Sequence, residues 1–414
     1  MKKGIIAGLF VCCFLQVFPQ MTRCVSDEKF RKAMQNPLYK ENHDKLEQEI
    51  YHISHNNLRK AGADSTFVVP VVVHILYNTP AENISDQRVY EQINILNEDF
   101  NRRNADAYKT PAAFQGLAGS LNVEFRLAIL DTAGNPTNGI EHIFTKSTSF
   151  SDNDDNAKSK YTGGASIWNP HAYLNIWVCN LNPSSTLGST PLPNQGPDSA
   201  DGILINYRVF GKTGPKNYDL GRTTTHEVGH YFNLYHTWGT EVFGTCSDAD
   251  SVSDTPNQYQ STGGCPTYPT FDQCTQTGSG IMFMSFMDYS DDPCMNMFSQ
   301  GQVDRMKATF MAYPRNTLKQ KARQITSVNS IRPETSRFLV KPNPSSGWFY
   351  VSKEEPEKAT LSIFNMLGDL IYSDTMNAGE TQKEIILNEV PDGIYFCRLI
   401  SRSGYQTQKI RIEH

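Results

Sequence analysis

The segment of residues 223–236 reads TTTHEVGHYFNLYH, and it constrains the fold more than any other stretch because it concentrates metal-ligating side chains. If the chain is helical from about Thr225, His226 and His230 lie four residues apart on one helix face. Glu227 then lies beside the metal ion that the two imidazoles would hold. The pattern therefore predicts a zinc site on a helix.

His236 extends this pattern, six residues beyond His230. It reaches the same ion only if the helix ends and the chain turns sharply near Asn233, a residue type that readily adopts positive φ. Three histidine ligands leave one tetrahedral position for water, which is typical of a catalytic zinc. The alternatives are a chance match on a surface helix, or a structural zinc, which would want a fourth ligand such as cysteine that the motif lacks.

The length of 414 residues predicts two or three domains. The net charge of −5 and the 20% of charged residues are those of an ordinary soluble globular protein. The sequence has no basic excess that would favour nucleic acid, so neither DNA nor RNA is expected as a partner.

The first 18 residues form a short basic region and an apolar core that is too short for a comfortable membrane span. We interpret residues 1–20 as a secretory signal peptide; the alternatives are an uncleaved anchor or a lipid-modified cysteine. No other run is long and apolar enough to span a bilayer, so the mature protein is expected to be soluble after export.

Export permits disulfides, and four of the nine cysteines cluster after the histidine motif. Four cysteines allow three connectivities, and their spacing does not choose between them. Cys179 and Cys397 lie in apolar runs and are expected to be buried. Cys24 is the only thiol in the charged, helix-prone segment 21–60. Its thiolate could fill the open zinc position; the alternatives are a leftover thiol or a lipidation site. The clustered four are Cys246, Cys265, Cys274 and Cys294.

Residues 61–316 carry the pattern of an α/β catalytic domain. Apolar β-branched runs predict strands, an apolar stripe from Ser85 predicts a helix, and the turn-rich residues 239–280 predict an irregular subdomain held by disulfides. A final helix is expected from Ser299. The predicted strands are 67–77, 123–127, 173–181 and 202–207, and the helix before the histidine motif is 85–100.

Two loops in this domain each have two interpretations. Residues 186–193 contain prolines that suit an edge strand, which could hold an extended peptide by β-augmentation; the alternative is a proline-rich loop. Asp248, Asp250 and Asp254 gather carboxylates in one short stretch, which favours calcium, with Asp250 and Thr255 as candidate ligands. The alternative is a set of solvated turn carboxylates.

A polar linker is predicted at residues 317–337. Residues 338–414 then alternate short apolar segments with Gly, Asn, Asp and Pro turns, which predicts a small all-β sandwich. This C-terminal domain carries no constellation of residues suited to chemistry.

The motif from His226 to His236, followed by Met287 within Phe-Met-Asp-Tyr, resembles the metzincin zinc peptidases, in which a Met-turn lies beneath the metal. The trailing Asn-Leu-Tyr-His-Thr-Trp-Gly and the four-cysteine loop are similar to the pappalysin group, particularly its small bacterial members. The similarity covers roughly residues 23–314. It implies a twisted mixed sheet with an active-site helix, a disulfide-bonded C-terminal subdomain, bound calcium, and a short propeptide that blocks the zinc.

Carried over residue by residue, the resemblance implies that the three histidines bind zinc, that Glu227 is the general base and that Tyr289 stabilises the oxyanion. It implies that Cys24 is the inhibitory cysteine, although Arg-Cys-Val stands here where many relatives have Arg-Cys-Gly. Asp292 would line the S1′ pocket and favour arginine; the competing interpretation is a turn carboxylate. The implied disulfides are Cys246 with Cys274 and Cys265 with Cys294.

The C-terminal region resembles the sorting domain of type IX secretion. The landmarks are KPNPSSG at 341–347, IFNMLG at 363–368, VPDGIY at 390–395 and the basic QKIR at 408–411. The resemblance implies recognition by the type IX machinery, export across the outer membrane of a Gram-negative cell, and release or surface attachment.

Together these features predict a secreted zinc-dependent endopeptidase that stays latent until residues 21–60 are removed. In the expected mechanism, zinc activates a water and Glu227 takes its proton. Cleavage is expected before Arg59 or Ala61, at a polar junction ahead of the first strand. The alternatives are a zinc-binding surface adhesin without peptidase activity, and an enzyme acting on a non-peptide amide.

Overall fold

The computed structural model of the chain describes residues 21–56, 66–240, 245–247, 250–318, 338–354, 356–365, 370–401 and 404–414. The predicted signal peptide, the predicted activation site and Asp248 lie outside these ranges. Within them, no helix combines the length and apolar character that a membrane span needs.

The N-terminal and catalytic regions contain helices and strands in alternation. In chain order they are β1 (Thr22–Cys24), α1 (Ser26–Ala33), α2 (Pro37–Asn56), β2 (Phe67–Tyr77), α3 (Asp86–Asp99), α4 (Ala112–Gln115), β3 (Val123–Leu127), β4 (Ile140–Phe144), β5 (Phe150–Ser151), β6 (Leu174–Cys179), β7 (Leu181–Asn182), β8 (Thr186–Ser189), β9 (Ile203–Asn206), α5 (Arg222–Tyr231) and α6 (Gln300–Thr309).

The central sheet is mixed, as the resemblance implied. Its described strands run in the order β1-β8-β9-β6-β2-β3, with β4 also paired to β2. Most neighbours are parallel, but β8 runs antiparallel to β9. Because β2 and β6 are buried on both faces, their sequences are apolar runs rather than alternating ones, interrupted by His74 and Asn175, which contact each other at 2.9 Å. Helices α3, α5 and α6 cover the sheet and share its core.

The predicted strand at 173–181 is wrong in one detail. It divides into β6, in the central sheet, and β7, which pairs with β5 in a separate two-stranded sheet. Cys179 at the end of β6 and Leu181 at the start of β7 are both buried and apolar, so periodicity alone could not locate the break between the two strands.

The edge of the central sheet is formed by two segments that are far apart in sequence. Strand β8 covers only the first half of the segment 186–193, and its two prolines follow the strand in a loop, so each interpretation holds for one half. Strand β1 pairs beside β8 in parallel, with Cys24 opposite Gly188. The extended peptide that augments β8 is therefore the chain's own N-terminal segment. Beyond β1, α2 packs against α6 through a cluster that includes Leu46, Ile50 and Ala308.

The stretch between α5 and α6 has little regular structure and is closed by two disulfides. Cys246 bonds to Cys274 and Cys265 bonds to Cys294, with Cα–Cα distances of 5.1 and 5.6 Å, and these are the pairs that the resemblance implied. Cys179 and Cys397 are buried free thiols.

The C-terminal region forms two antiparallel sheets over one apolar core. One sheet has the order β10-β11-β14 and the other β13-β12-β15-β16. The predicted all-β sandwich is confirmed. Its strands are β10 (Leu339–Lys341), β11 (Trp348–Ser352), β12 (Ala359–Phe364), β13 (Leu370–Met376), β14 (Gln382–Ile386), β15 (Gly393–Ser401) and β16 (Gly404–Ile412).

Candidate metal centre and substrate cleft

The three histidines of the motif meet at one point. Helix α5 presents His226 and His230, and the distances between the Nε2 atoms of His226, His230 and His236 are all 3.1 Å. Such spacing is close to that of three nitrogens on a tetrahedral zinc with bonds of about 2.0–2.1 Å. All three side chains are buried. The ring of His236 can face the same point as the other two because α5 ends just after His230.

The helix exit has the geometry that the sequence predicted. Asn233 has a φ of 67°, and its backbone N–H donates to the carbonyl of His230 at 2.8 Å. The next N–H, of Leu234, donates to Gly229 at 3.0 Å. These bonds close the helix end and redirect the chain, so that His236 comes back beside the other two imidazoles.

The chemistry of this cluster fits zinc. Burial, together with the neighbouring imidazoles, lowers the pKa of His226 and His230 well below the usual range, so both rings are neutral and can offer a lone pair. The thiol of Cys24 completes a buried set of four ligand atoms that lie within 4.8 Å of one another. Histidine nitrogens with one sulfur are donors that zinc prefers.

The sulfur of Met287 lies directly under the helix. A Cβ atom placed on Gly229 would be 2.4 Å from Met287 Sδ, so only glycine allows this approach. The preceding carbonyl, of Phe286, accepts a hydrogen bond of 2.7 Å from His226 Nδ1. The turn at 286–287 therefore orients one histidine and supports the helix that carries it.

The side chain of Glu227 extends from α5 to the edge of the central sheet. Burial raises the pKa of its carboxyl group to about 7, and the nearby Thr190 hydroxyl and Cys24 thiol oppose this shift. A Cβ on Gly188 would lie 2.7 Å from Glu227 Oε1, so the absence of a side chain there makes room for the carboxylate. A carboxyl group with a pKa near neutrality can accept and return a proton.

Tyr289 directs its hydroxyl towards the centre of the cleft. It donates a hydrogen bond of 2.8 Å to the carbonyl oxygen of Cys24. Its ring contacts those of His226 and His236. Desolvation and the nearby Cys24 raise the pKa of the phenol well above its usual value, so it is a proton-bearing donor.

Asp292 forms the base of a pocket that holds an arginine of the N-terminal segment. Arg23 Nη2 donates to Asp292 Oδ1 at 2.9 Å and to the Ser290 carbonyl at 2.8 Å, and its guanidinium lies 5.2 Å from the Tyr218 ring. The side chains of Arg23 and Asp292 are 1% and 0% exposed. Backbone N–H groups of Leu220 and Arg222 hold the other carboxylate oxygen.

Asp250 and Asp254, two carboxylates of the candidate calcium loop, have different hydrogen-bond partners. Thr255 donates its hydroxyl to both carboxylate oxygens of Asp250, at 2.7 and 2.8 Å, and both residues are buried. Burial raises the pKa of Asp250 to about 7. Asp254 instead accepts hydrogen bonds from Ser299 and from the Gly301 backbone, and so caps the start of α6.

Several residues at the site were missed by sequence reasoning. Asp27 contacts the third histidine: His236 Nδ1 lies 2.8 Å from both of its carboxylate oxygens. Trp238 stacks on the same imidazole with ring centroids 4.3 Å apart. Arg222 makes two hydrogen bonds to Asp106, at 2.6 and 2.7 Å, near the Asp292 pocket. The one signal that could have pointed to Asp27 is its place three residues after Cys24, and nothing in the sequence identified His236 as its partner.

Two family models match the chain. Residues 158–311 match the pregnancy-associated plasma protein-A family, and residues 340–413 match a secretion system C-terminal sorting domain. The first match spans the histidine motif and Met287, and the second spans the β-sandwich.

The chain is also similar to curated and solved proteins. An extracellular metalloprotease of Trichophyton verrucosum is 31% identical over 260 residues, which are 61% of this chain and 82% of the relative. Mature mirolysin of Tannerella forsythia, solved with a cleaved peptide, is 46% identical over 64% of this chain and 100% of its own, with a TM-score of 0.62. A promirolysin mutant from the same organism is 42% identical over 74% of this chain and 99% of its own, with a TM-score of 0.67.

Proposed function

Since this chain belongs to the pregnancy-associated plasma protein-A (pappalysin) family of metallopeptidases, we propose that Glu227 is the general base of its zinc-dependent endopeptidase activity and that its cleft prefers arginine at P1′. The observation that carries the proposal is the position of Glu227, buried beside three convergent histidines and under the edge strand.

His226, His230 and His236 would hold the zinc ion. When bound, zinc supplies Lewis acidity, which polarises a peptide carbonyl and lowers the pKa of water towards about 7. Glu227 takes the proton of the attacking water and passes it to the leaving amine.

Tyr289 would stabilise the oxyanion that develops on the scissile carbonyl. Support comes from the latent state, in which the phenol already donates to a backbone carbonyl oxygen, that of Cys24, beside the histidines. A donor held in place before the reaction needs no reorganisation when the charge appears.

The preference for arginine is supported by the occupant of the Asp292 pocket. In the latent chain this occupant is Arg23, bound through a charge-assisted hydrogen bond to the buried carboxylate. A substrate arginine can bind there only after Arg23 leaves. The same segment brings Cys24 to the histidines, so residues 21–60 would act as a propeptide that blocks both the metal and the specificity pocket.

Three further assignments complete the proposal. Asp250 and Thr255 would contribute to a structural calcium site, because a buried carboxylate with a raised pKa gains from a neighbouring divalent cation. The catalytic domain would extend from about residue 61 to about residue 316, near the buried Leu318. Residues 338–414 would engage the type IX secretion machinery, which fits the sorting-domain match.

The decisive experiment replaces Glu227 by Gln in the activated enzyme. We expect zinc content to remain at the wild-type level, because the three histidines are untouched, while hydrolysis of casein and of peptide libraries is lost. Mass spectrometry of the library cleaved by the wild-type enzyme tests the P1′ preference. Casein turnover by Glu227→Gln at the wild-type rate would refute its role as the base.

A further inference from the structure

The three histidines differ in what holds the ring nitrogen that faces away from the metal site. His226 Nδ1 donates to the carbonyl of Phe286 at 2.7 Å, and His230 Nδ1 donates to the carbonyl of Leu234 at 2.8 Å. Both acceptors belong to the catalytic domain. The partner of His236 is instead the carboxylate of Asp27, at 2.8 Å, which belongs to the N-terminal segment.

This contact is well placed to affect the ligand. The side chain of His236 is 0% exposed and that of Asp27 is 19% exposed, so the pair is largely shielded from water. A carboxylate that accepts from the outer nitrogen fixes the tautomer and the ring orientation, and it makes the inner nitrogen a better donor to a metal. Trp238 lies against the face of the same ring and restricts its movement.

A second carboxylate of the N-terminal segment holds the turn that precedes His236. Glu47 of α2 accepts from Asn233 Nδ2 at 2.8 Å, from the Tyr235 hydroxyl at 3.0 Å and from Arg305 Nη2 at 2.7 Å. Arg305 also donates to the backbone carbonyl of Asn233 at 2.8 Å. Glu47 is therefore bonded to both non-histidine polar side chains of the turn at 233–236.

We propose that Asp27 and Glu47 are positioning residues for the third zinc ligand, and that the N-terminal segment thereby loads and retains zinc by a route separate from the Cys24 thiol. The inference rests on the proposed assignment of the three histidines as zinc ligands. Removal of the segment takes the Asp27 carboxylate away from His236 and the Glu47 carboxylate away from the turn. The mature enzyme therefore holds zinc less tightly than the zymogen does, and the decrease is larger than the loss of the Cys24 sulfur alone would cause.

The test measures zinc release to a chromogenic chelator from the full-length chain carrying Glu227→Gln, which prevents self-cleavage. We expect Asp27→Ala to accelerate release by about 10- to 100-fold, the usual effect of removing such a partner of a metal-bound histidine. Asp27→Asn keeps an acceptor but loses the charge, so an intermediate rate is expected. Glu28→Gln is the matched control, because Glu28 is an exposed carboxylate on the same helical turn, and it should leave the rate unchanged.

The Cys24→Ala variant separates this effect from the thiol. Asp27→Ala should accelerate release by a similar factor with or without Cys24, and Glu47→Gln should act in the same direction, with exposed Glu49→Gln as its control. Equal release rates for Asp27→Ala, Asp27→Asn and the parent would overturn the inference. If the parent itself bound no zinc, the assignment of the histidines would fail instead. Thermal unfolding of each zinc-loaded variant verifies that the fold is retained.

Discussion

The Tyr289 hydroxyl donates a hydrogen bond of 2.8 Å to the carbonyl oxygen of Cys24, the residue whose thiol faces the three histidines. The latent chain thus places its own peptide carbonyl against the donor that is proposed to receive the carbonyl of a substrate. Strand β1 runs parallel to the edge strand β8, and it ends at this point. The N-terminal segment therefore occupies the groups that are proposed to bind a substrate.

Replacing Tyr289 by Phe should lower kcat of the activated enzyme by about 100-fold, since loss of one donor to a developing oxyanion typically has this effect. KM should change little, because the bond strengthens mainly as charge develops. Steady-state kinetics on an arginine-containing peptide measures both constants, and zinc content serves as the control for an intact metal site. A drop confined to KM would show that the phenol binds the ground state only.

Replacing Asp292 by Asn should reduce kcat/KM for peptides with arginine at P1′ by about 10- to 100-fold, the range for loss of a hydrogen bond between charged groups. Peptides with an apolar P1′ residue should be much less affected. The side-chain carbonyl of Asn can still accept from Leu220 and Arg222, so the pocket should keep its shape. Asp291→Asn is the control, because that carboxylate lies beside the pocket but makes no hydrogen bond to Arg23. Equal losses for both peptide classes would contradict a role in specificity.

The sequence predicted those parts of the site that are local in the chain. The pair His226 and His230 follows from helical spacing, and the turn at Asn233 follows from the need to bring back a third ligand over six residues. Contacts between distant segments were not predictable in this way. Arg23 meets Asp292, 269 residues away, and Asp27 meets His236, 209 residues away. Both contacts depend on the pairing of β1 with β8, and a three-residue strand has no sequence periodicity that would reveal its partner.

Replacing Gly229 by Ala should destabilise the catalytic domain by about 1–3 kcal/mol, the usual cost of forcing an extra methyl group into a packed core. The new Cβ would lie 2.4 Å from Met287 Sδ, so either the helix or the Met-turn must shift. Because alanine favours helix more than glycine does, the substitution would stabilise the domain if there were no clash, so a destabilisation indicates the clash. Gly116→Ala, with no heavy atom within 4 Å, is the matched control. Chemical denaturation measures both, and a smaller effect of Gly229→Ala in a Met287→Ala background would identify the clash as the cause.

The stability of the zymogen should depend on pH through Asp250. Burial raises the pKa of this carboxyl in the folded state to about 7 from its ordinary 3.8, so the unfolded chain releases the proton more readily. Stability is therefore lost as pH rises from about 4 to about 7, and the full penalty persists above that window. A calcium ion bound to the carboxylate would offset the penalty by favouring the ionised form.

The contribution of the Asp250 carboxyl is isolated by comparing the wild-type chain with Asp250→Asn. Melting temperatures of both are measured from pH 4 to pH 8 in the presence of a calcium-selective chelator. We expect the wild type to lose stability relative to the variant as pH rises, because only the wild type must bury a charge. Added calcium should then raise the melting temperature of the wild type at pH 8 and leave Asp250→Asn nearly unchanged. Parallel pH profiles would exclude Asp250 as the titrating group, and an equal response to calcium would place the ion elsewhere.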